Sequence, residues 1–243
     1  MMKILGIESA ALVASVAIID ENVTIAEYTT NFKKTHSETL LPMLDEIVKM
    51  TGISLSELSA IAVSGGPGSF TGLRIGAASA KGLGLSLDLP LIHVPTLDAM
   101  ALNIYSSDAL IVPIMDARRN QVYTGIYKND TKKLEVKVPS MAVSIDELFE
   151  ILKETDAKEK TGRAIFLGDG VPVFREYIDK NLEISHDFAP ANLNRQRASN
   201  IAMLGMEMLK SGNIISADDM KPEYLRKSQA ERERNVDKTD AGL

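Results

Sequence analysis

The chain has 243 residues, with 33 acidic and 27 basic side chains and a formal net charge of −6. That balance argues against a large basic surface binding nucleic acid unaided, and the absence of cysteine excludes disulfides and thiolate chemistry. No apolar run reaches the length of a membrane span, and Met1–Gly6 lacks a signal-peptide plan, so a cytoplasmic protein is expected.

Three short strands open the chain: Lys3–Ile7, Leu12–Ile19 and Val23–Thr30, rich in Ile, Val, Ala and Thr and split by turn residues such as Asp20-Glu21-Asn22. A helical pattern follows from about Ser37 to Met50, with Pro42 inside it, where a proline removes a hydrogen bond and either starts or kinks the helix. Ser54-x-x-Glu57 matches a capping box. Ala60–Ser64 reads as a strand, Gly65–Gly76 as a glycine-rich turn into a long helix ending at Leu87, Leu91–Val94 as a strand, and Thr96 as the cap of a helix to about Tyr105.

The order then repeats. Ala109–Asp116, Gln121–Lys128 and Lys133–Val138 are strand candidates. Ser144 caps a helix to about Glu154, Ala164–Leu167 is a strand, Val173–Lys180 a helix, Glu183–Ser185 a short strand and Ala198–Lys210 a helix. Two βββαβαβα units predict an α/β protein with mixed sheets covered by helices. The boundary falls at residue 105/106, and a polar, mobile tail is expected over 227–243.

Two helices carry more apolar surface than a sheet can cover. On the long helix, at about 100° per residue, Leu73, Gly76, Ala77, Ala80, Leu83, Gly84 and Leu87 share one side. Ile75, Ala78, Gly82 and Leu85, edged by Arg74 and Lys81, share the other. On the preceding helix His36, Leu40, Met43, Ile47 and Met50 follow a 4-3-4-3 spacing, that of a helix–helix seam, with Leu41, Leu44 and Val48 left for the sheet. Both outer stripes are expected to meet another chain. The competing expectation is that this chain's own C-terminal segment covers them.

Chemistry is sparser. A strand turning through glycines into a helix aims N–H groups outward and suits an anion, but Gly-Lys-Ser/Thr is absent, so Gly66, Pro67, Gly68 and Ser69 do not form a P-loop. Anion binding and a plain tight turn are equally compatible with the residues. Glu8 with Ser9, and Asp116, stand at strand ends where carboxylates can hold Mg²⁺ with a nucleotide. Gly168-Asp169-Gly170 passes near a nucleotide or simply turns the chain. His36, His93 and His186 include no helical metal pair, and no metal site is expected.

The chain resembles the TsaB (YeaZ) family of bacterial tRNA threonylcarbamoyladenosine biosynthesis. The resemblance is carried by Ile4-Leu5-Gly6-Ile7-Glu8-Ser9, His36-Ser37-Glu38 with Leu41-Pro42, Gly66-Pro67-Gly68-Ser69-Phe70-Thr71-Gly72-Leu73-Arg74-Ile75-Gly76, Val94-Pro95-Thr96-Leu97, Asp116-Ala117-Arg118 and Pro222-Glu223-Tyr224-Leu225-Arg226. It implies two RNase H-like halves of the actin-like, sugar-kinase-like fold. It also implies a catalytic TsaD-like partner and a TsaE-like ATPase, a homodimer when the partner is absent, and contact with tRNA only through the complex. The family's interface lies on the two helices singled out above. The TsaD-like His-x-x-x-His pair is represented here by His93 alone, so the resemblance implies a non-catalytic subunit with at most a vestigial ATP/ADP–Mg site. The rival expectations are a metalloprotease-like hydrolase or an ATP-dependent phosphotransferase, and a direct tRNA-binding module, which the acidic balance and the lack of an evident basic-aromatic motif oppose.

Overall fold

A computed structural model describes residues 1–130 and 133–225; the tail expected over 227–243 lies outside the described residues. Ten strands and six α-helices alternate: β1 (Lys3–Glu8), β2 (Ala14–Asp20), β3 (Thr24–Thr30), α1 (His36–Thr51), β4 (Ala60–Gly66), α2 (Phe70–Leu87), β5 (Leu91–Pro95), α3 (Thr96–Ala101), β6 (Ser107–Asp116), β7 (Gln121–Asn129), β8 (Leu134–Ser144), α4 (Ile145–Glu159), β9 (Arg163–Leu167), α5 (Val171–Asn181), β10 (Ser185–Phe188) and α6 (Ala198–Lys210). They build two five-stranded sheets, ordered β3-β2-β1-β4-β5 and β10-β9-β6-β7-β8. Read outward from β1 and β6, the two orders are the same. In each, a meander of antiparallel strands is followed by two parallel strands reached through helices. This is the doubled mixed sheet the sequence predicts.

Local chemistry explains the ends. Ser54 and Glu57 form both arms of the capping box. Ser69 caps α2 by accepting the Gly72 N–H, and Ser144 caps α4 by accepting the Glu147 N–H. α1 runs through Pro42 to Thr51 and stops at Gly52, whose φ of 71° gives the left-handed turn that ends it. The last strand forms at Ser185–Phe188, two residues later than predicted, because its parallel partner β9 pairs Arg163 with Ser185 and Phe166 with Phe188.

The two sheets divide between α3 and β6, but α6 crosses the boundary drawn at residue 105/106. Although it follows the second sheet in sequence, it packs on the first. Ile201, Ala202 and Met206 are buried with Ile4, Ile19, Ala60, Ala62, Ile92 and Val94. The reason is steric as well as apolar. A methyl group on Gly6 would sit 2.2 Å from the Ala198 carbonyl oxygen, and one on Gly205 would sit 2.5 Å from the Ala62 methyl, so glycine on both surfaces lets helix and sheet close up. The first sheet is thus covered by α1 and α2 on one face and by α6 on the other. Arg197 and Ser199, at the start of α6, fasten it to Glu27 of β3.

Beyond α6 the chain returns along the first lobe as a strap. Ile215 pairs with Leu91 at the edge of β5, Ala217 and Met220 enter the core beneath α1 and α2, and the Glu223 N–H donates to the Gly65 carbonyl at 2.7 Å.

Candidate docking face and interlobe cleft

α2 contains four glycines in eighteen residues, each costing about 0.8–1 kcal/mol relative to alanine in a helix interior. Three have an internal reason. A methyl group on Gly72 would meet the Ser9 carbonyl oxygen at 2.1 Å, one on Gly76 the Ser9 Oγ at 2.2 Å, and one on Gly84 the Leu91 side chain at 2.8 Å. Gly82 has nothing within 4 Å. It lies on the exposed side of the helix with Ala78 and with Leu85, which is 66 % exposed. Small residues that leave a helix backbone bare permit another helix to approach closely, and no described residue of this chain makes use of that permission at Gly82.

The rest of the predicted interface divides. Leu40, Met43 and Ile47 are 2 %, 6 % and 4 % exposed and belong to the core with Leu5, Val16 and Ile18, so the 4-3-4-3 stripe of α1 is its sheet-facing side and these three are removed from the interface. Met50, 77 % exposed at the end of the same helix, and Leu41, 49 % exposed rather than on the sheet, remain outside. His36 is half-buried, with Nε2 3.0 Å from the Val13 carbonyl, where it ties α1 to the β1–β2 turn. Ile75 is half-buried against the core. The strap occupies the flank carrying Arg74 and Lys81. Arg74 donates through Nε to the Tyr224 hydroxyl at 3.1 Å and lies 3.8 Å over the Phe70 ring, Phe70 and Tyr224 pack 4.4 Å apart, and Lys81 donates to the Asp218 carbonyl at 3.3 Å. The expectation that this chain covers its own second stripe is therefore met on that flank, while no described residue covers Ala78, Gly82 and Leu85.

Between the lobes lies a cavity of about 530 Å³, lined by Ala10–Leu12, His36, Gly68–Phe70, Met115–Arg118, Tyr123, Asp169 and Glu223–Leu225. Of the nucleotide-site candidates, Gly68, Ser69, Asp116 and Asp169 line it. A methyl group on Gly68 would lie 2.4 Å from the Ala10 carbonyl oxygen, so the glycines of this loop accommodate the Ser9–Ala10 turn. The Ser69 N–H donates to Ala10, the Gly72 N–H to Ser69 Oγ and the Gly66 N–H to Thr96, which takes up amide donors an anion would need. The peptide between Gly66 and Pro67 is cis. In the second lobe, a methyl group on Gly168 would meet the Ile114 carbonyl oxygen at 2.2 Å, and Gly170 donates its N–H to the same oxygen at 3.0 Å. Both candidate phosphate loops are packed against this chain's own backbone.

The carboxylates follow suit. Glu8 is buried, and its Oε1 accepts the Ala10 N–H at 2.6 Å. Burial pushes its pKa from the ordinary 4.5 up to about 7, against the hydrogen bonds from Ala10, Ser64 and Ser9, and the charge of Asp169 adds to the rise. Burial likewise raises Asp169. Asp116 accepts the Arg118 N–H. Ser9 Oγ is buried without a hydrogen-bond partner. His93 sets its ring against Gly65, with Nε2 3.0 Å from that carbonyl, as a spacer beneath the glycine turn. Among the described residues no group of three or more His, Asp or Glu could hold a metal ion, and no helix is long and apolar enough to cross a membrane.

The family model described as "TsaD: tRNA N6-adenosine threonylcarbamoyltransferase" matches residues 24–234. A Bacillus subtilis protein named "tRNA threonylcarbamoyladenosine biosynthesis protein TsaB" is 36 % identical over 95 % of this chain and 96 % of its own length. The chain belongs to the TsaB family. An Escherichia coli protein of the same name is 29 % identical over 94 % of this chain and 96 % of its own. Among solved structures, YeaZ from Pseudomonas aeruginosa superposes with a TM-score of 0.74 over 93 % of this chain and all of that one, at 24 % identity, which shows the shared fold. The sequence offered coverage by the C-terminal segment only as the competing expectation, and the glycine environments are what it did not reveal. The one signal available was Pro222–Leu225, a short apolar-aromatic patch in an otherwise polar C-terminal stretch.

Proposed function

We propose that this chain is a non-catalytic scaffold and activator subunit in the synthesis of threonylcarbamoyladenosine on tRNA. It pairs through the outer stripe of α2 with a TsaD-like catalytic chain, and a TsaE-like ATPase joins the assembly. The names of its relatives support the pathway. The observation that carries the docking role is Gly82: a helix-destabilising residue with no neighbour among the described residues, beside exposed Ala78 and Leu85. Activation follows from differential binding, because a subunit shifts its partner's population only as far as it prefers one arrangement. When the partner is absent, the same stripe on a second copy gives the homodimer. Glu8 tied to its own turn, His93 tied to Gly65 and the filled glycine loops speak for a subunit without its own turnover rather than a hydrolase or phosphotransferase.

The test mixes the catalytic relative with Gly82→Arg. The new side chain enters open space and leaves the monomer folded, so the variant is expected to elute separately from the partner on size exclusion while the wild-type chain co-elutes. Co-elution of Gly82→Arg at wild-type affinity refutes the stripe as the contact. Ile75→Glu is unsuitable, since Ile75 packs on the core and its loss confounds pairing with folding.

A further inference from the structure

Arg74 is exposed on α2, yet the fold holds it in place. Its guanidinium carbon lies 3.8 Å from the centroid of the Phe70 ring, one turn earlier on the same helix, and its Nε donates to the Tyr224 hydroxyl at 3.1 Å. Phe70 and Tyr224 are themselves 4.4 Å apart. The strap carrying Tyr224 is pinned at the preceding residue, where the Glu223 N–H donates to the Gly65 carbonyl at 2.7 Å. Two rings and a hydroxyl thus fix a long side chain whose ordering is otherwise a cost of binding.

The bond through Nε leaves both terminal nitrogens of Arg74 without a hydrogen bond among the described residues. Its charge is unanswered as well. The arginines that form ion pairs among the described residues are Arg118, Arg163 and Arg197. The first turn of α2 holds no acidic residue. On the strap, Asp219 accepts from Ser216, and neither Asp218 nor Glu223 pairs with Arg74. A guanidinium held by its Nε and its ring-facing side, with the terminal edge free, presents the fork that matches a carboxylate.

Position selects the occupant. Arg74, Ala78 and Gly82 follow at four-residue intervals, one ridge of the helix rising about 12 Å, and Leu85 near its far end is 66 % exposed. A phosphate backbone gains nothing from the apolar part of that ridge. A helix packed along it buries Ala78 and Leu85 and brings its own side chains to Arg74.

We propose that Arg74 is the carboxylate receptor of the docking face. An Asp or Glu of the catalytic partner, on a helix lying along the ridge and about two turns from the residue seated on Gly82, pairs with the terminal nitrogens, and Tyr224 is the positioning residue. The inference rests on the docking reading above and deepens it by stating the chemistry of the partner's surface.

Pairing with the catalytic relative is measured by titration calorimetry over a salt series, free of nucleotide and nucleic acid, for the wild type, Arg74→Gln, Arg74→Lys and Tyr224→Phe. Arg74→Gln should weaken pairing about thirtyfold at about 0.1 M salt and flatten its salt dependence. Arg74→Lys keeps the charge without the fork and should recover only part of the loss. Tyr224→Phe keeps the rings and the charge, and should weaken pairing about threefold with the salt dependence retained. Exchange of the Glu223 amide in each free chain reads the seating of the strap separately. Carbodiimide treatment of the Arg74→Lys complex should join the introduced amine to an Asp or Glu of the partner, and the lack of that link counts against the proposal. Wild-type affinity in Arg74→Gln overturns it. So does a loss that tracks faster Glu223 exchange with the salt dependence unchanged, which makes Arg74 a staple for the strap alone. A loss seen only after tRNA is added, or only in self-association of this chain, also overturns it. If the wild-type chain does not pair at all, the docking reading fails and takes this contact with it; if Gly82→Arg blocks pairing and Arg74→Gln does not, the carboxylate contact alone is refuted.

Discussion

Glu8→Gln isolates the electrostatic cost of burying a carboxyl group at the end of β1. Glu8 is 1 % exposed, and its pKa stands at about 7 against an ordinary 4.5. The folded state therefore holds the proton more tightly than the unfolded one, and stability falls as pH rises between those two values. Integrating the linkage from pH 5 to pH 8.5 gives a loss of about 2–3 kcal/mol from this group alone. The glutamine variant keeps an oxygen for the Ala10 N–H and does not titrate. Urea unfolding of both proteins at pH 5 and 8.5 should show the variant gaining on the wild type by about 2–3 kcal/mol across that interval, or roughly 5–10 °C in melting temperature for a chain of this size. Parallel curves, with a constant offset between the two proteins, would refute the reasoning and mean that the Glu8 carboxylate is ionised and solvated at neutral pH.

Two glycines of one helix should respond in opposite directions. Gly76→Ala places a methyl group 2.2 Å from the buried Ser9 Oγ and should cost about 1–3 kcal/mol by overpacking, read by the urea midpoint. Gly82→Ala enters open space and should raise the same midpoint by about 0.8–1 kcal/mol. Tyr224→Ala removes the Arg74 hydrogen bond and the Phe70 contact, together worth about 1–3 kcal/mol. Exchange of the Glu223 amide, which donates to Gly65, should then quicken by about tenfold or more, while the β1 amides keep their protection.

Much of the fold was legible because strands and helices here obey their periods: the order of β1–β5 and of β6–β10, the Ser54–Glu57 box and the cap at Ser144 all follow from local residue patterns, whereas Thr96, read as a cap, is the first residue of α3 and accepts the Gly66 N–H. Failures arise where one pattern serves two structures. His36, Leu40, Met43 and Ile47 have the spacing of a helix seam, and a helix lying on a sheet buries a stripe of the same spacing, so only the sheet's position settles which it is. A glycine-rich turn reads alike whether a phosphate or a neighbouring turn approaches it; Ser9 and Ala10, sixty residues away, fill that space and leave no mark in the loop's own sequence. α6 carries an apolar stripe that fits either lobe, and the matched glycines Gly6 and Gly205 that seat it on the first sheet are separated by most of the chain. Gly82 was visible as part of an outer stripe, but its significance comes from comparison with Gly72, Gly76 and Gly84, whose neighbours only the structure supplies.

The docking claim meets its most direct test in a single introduced thiol, because the chain has no cysteine of its own. Ala78→Cys places the thiol on the outer stripe of α2, and Val173→Cys, at a position 59 % exposed on α5, serves as the control. Maleimide labelling is followed with and without the catalytic relative, under conditions where size exclusion shows a complex. The account predicts that the partner suppresses labelling at position 78 and leaves position 173 unchanged. Labelling at position 78 that proceeds at the free rate inside the complex contradicts it.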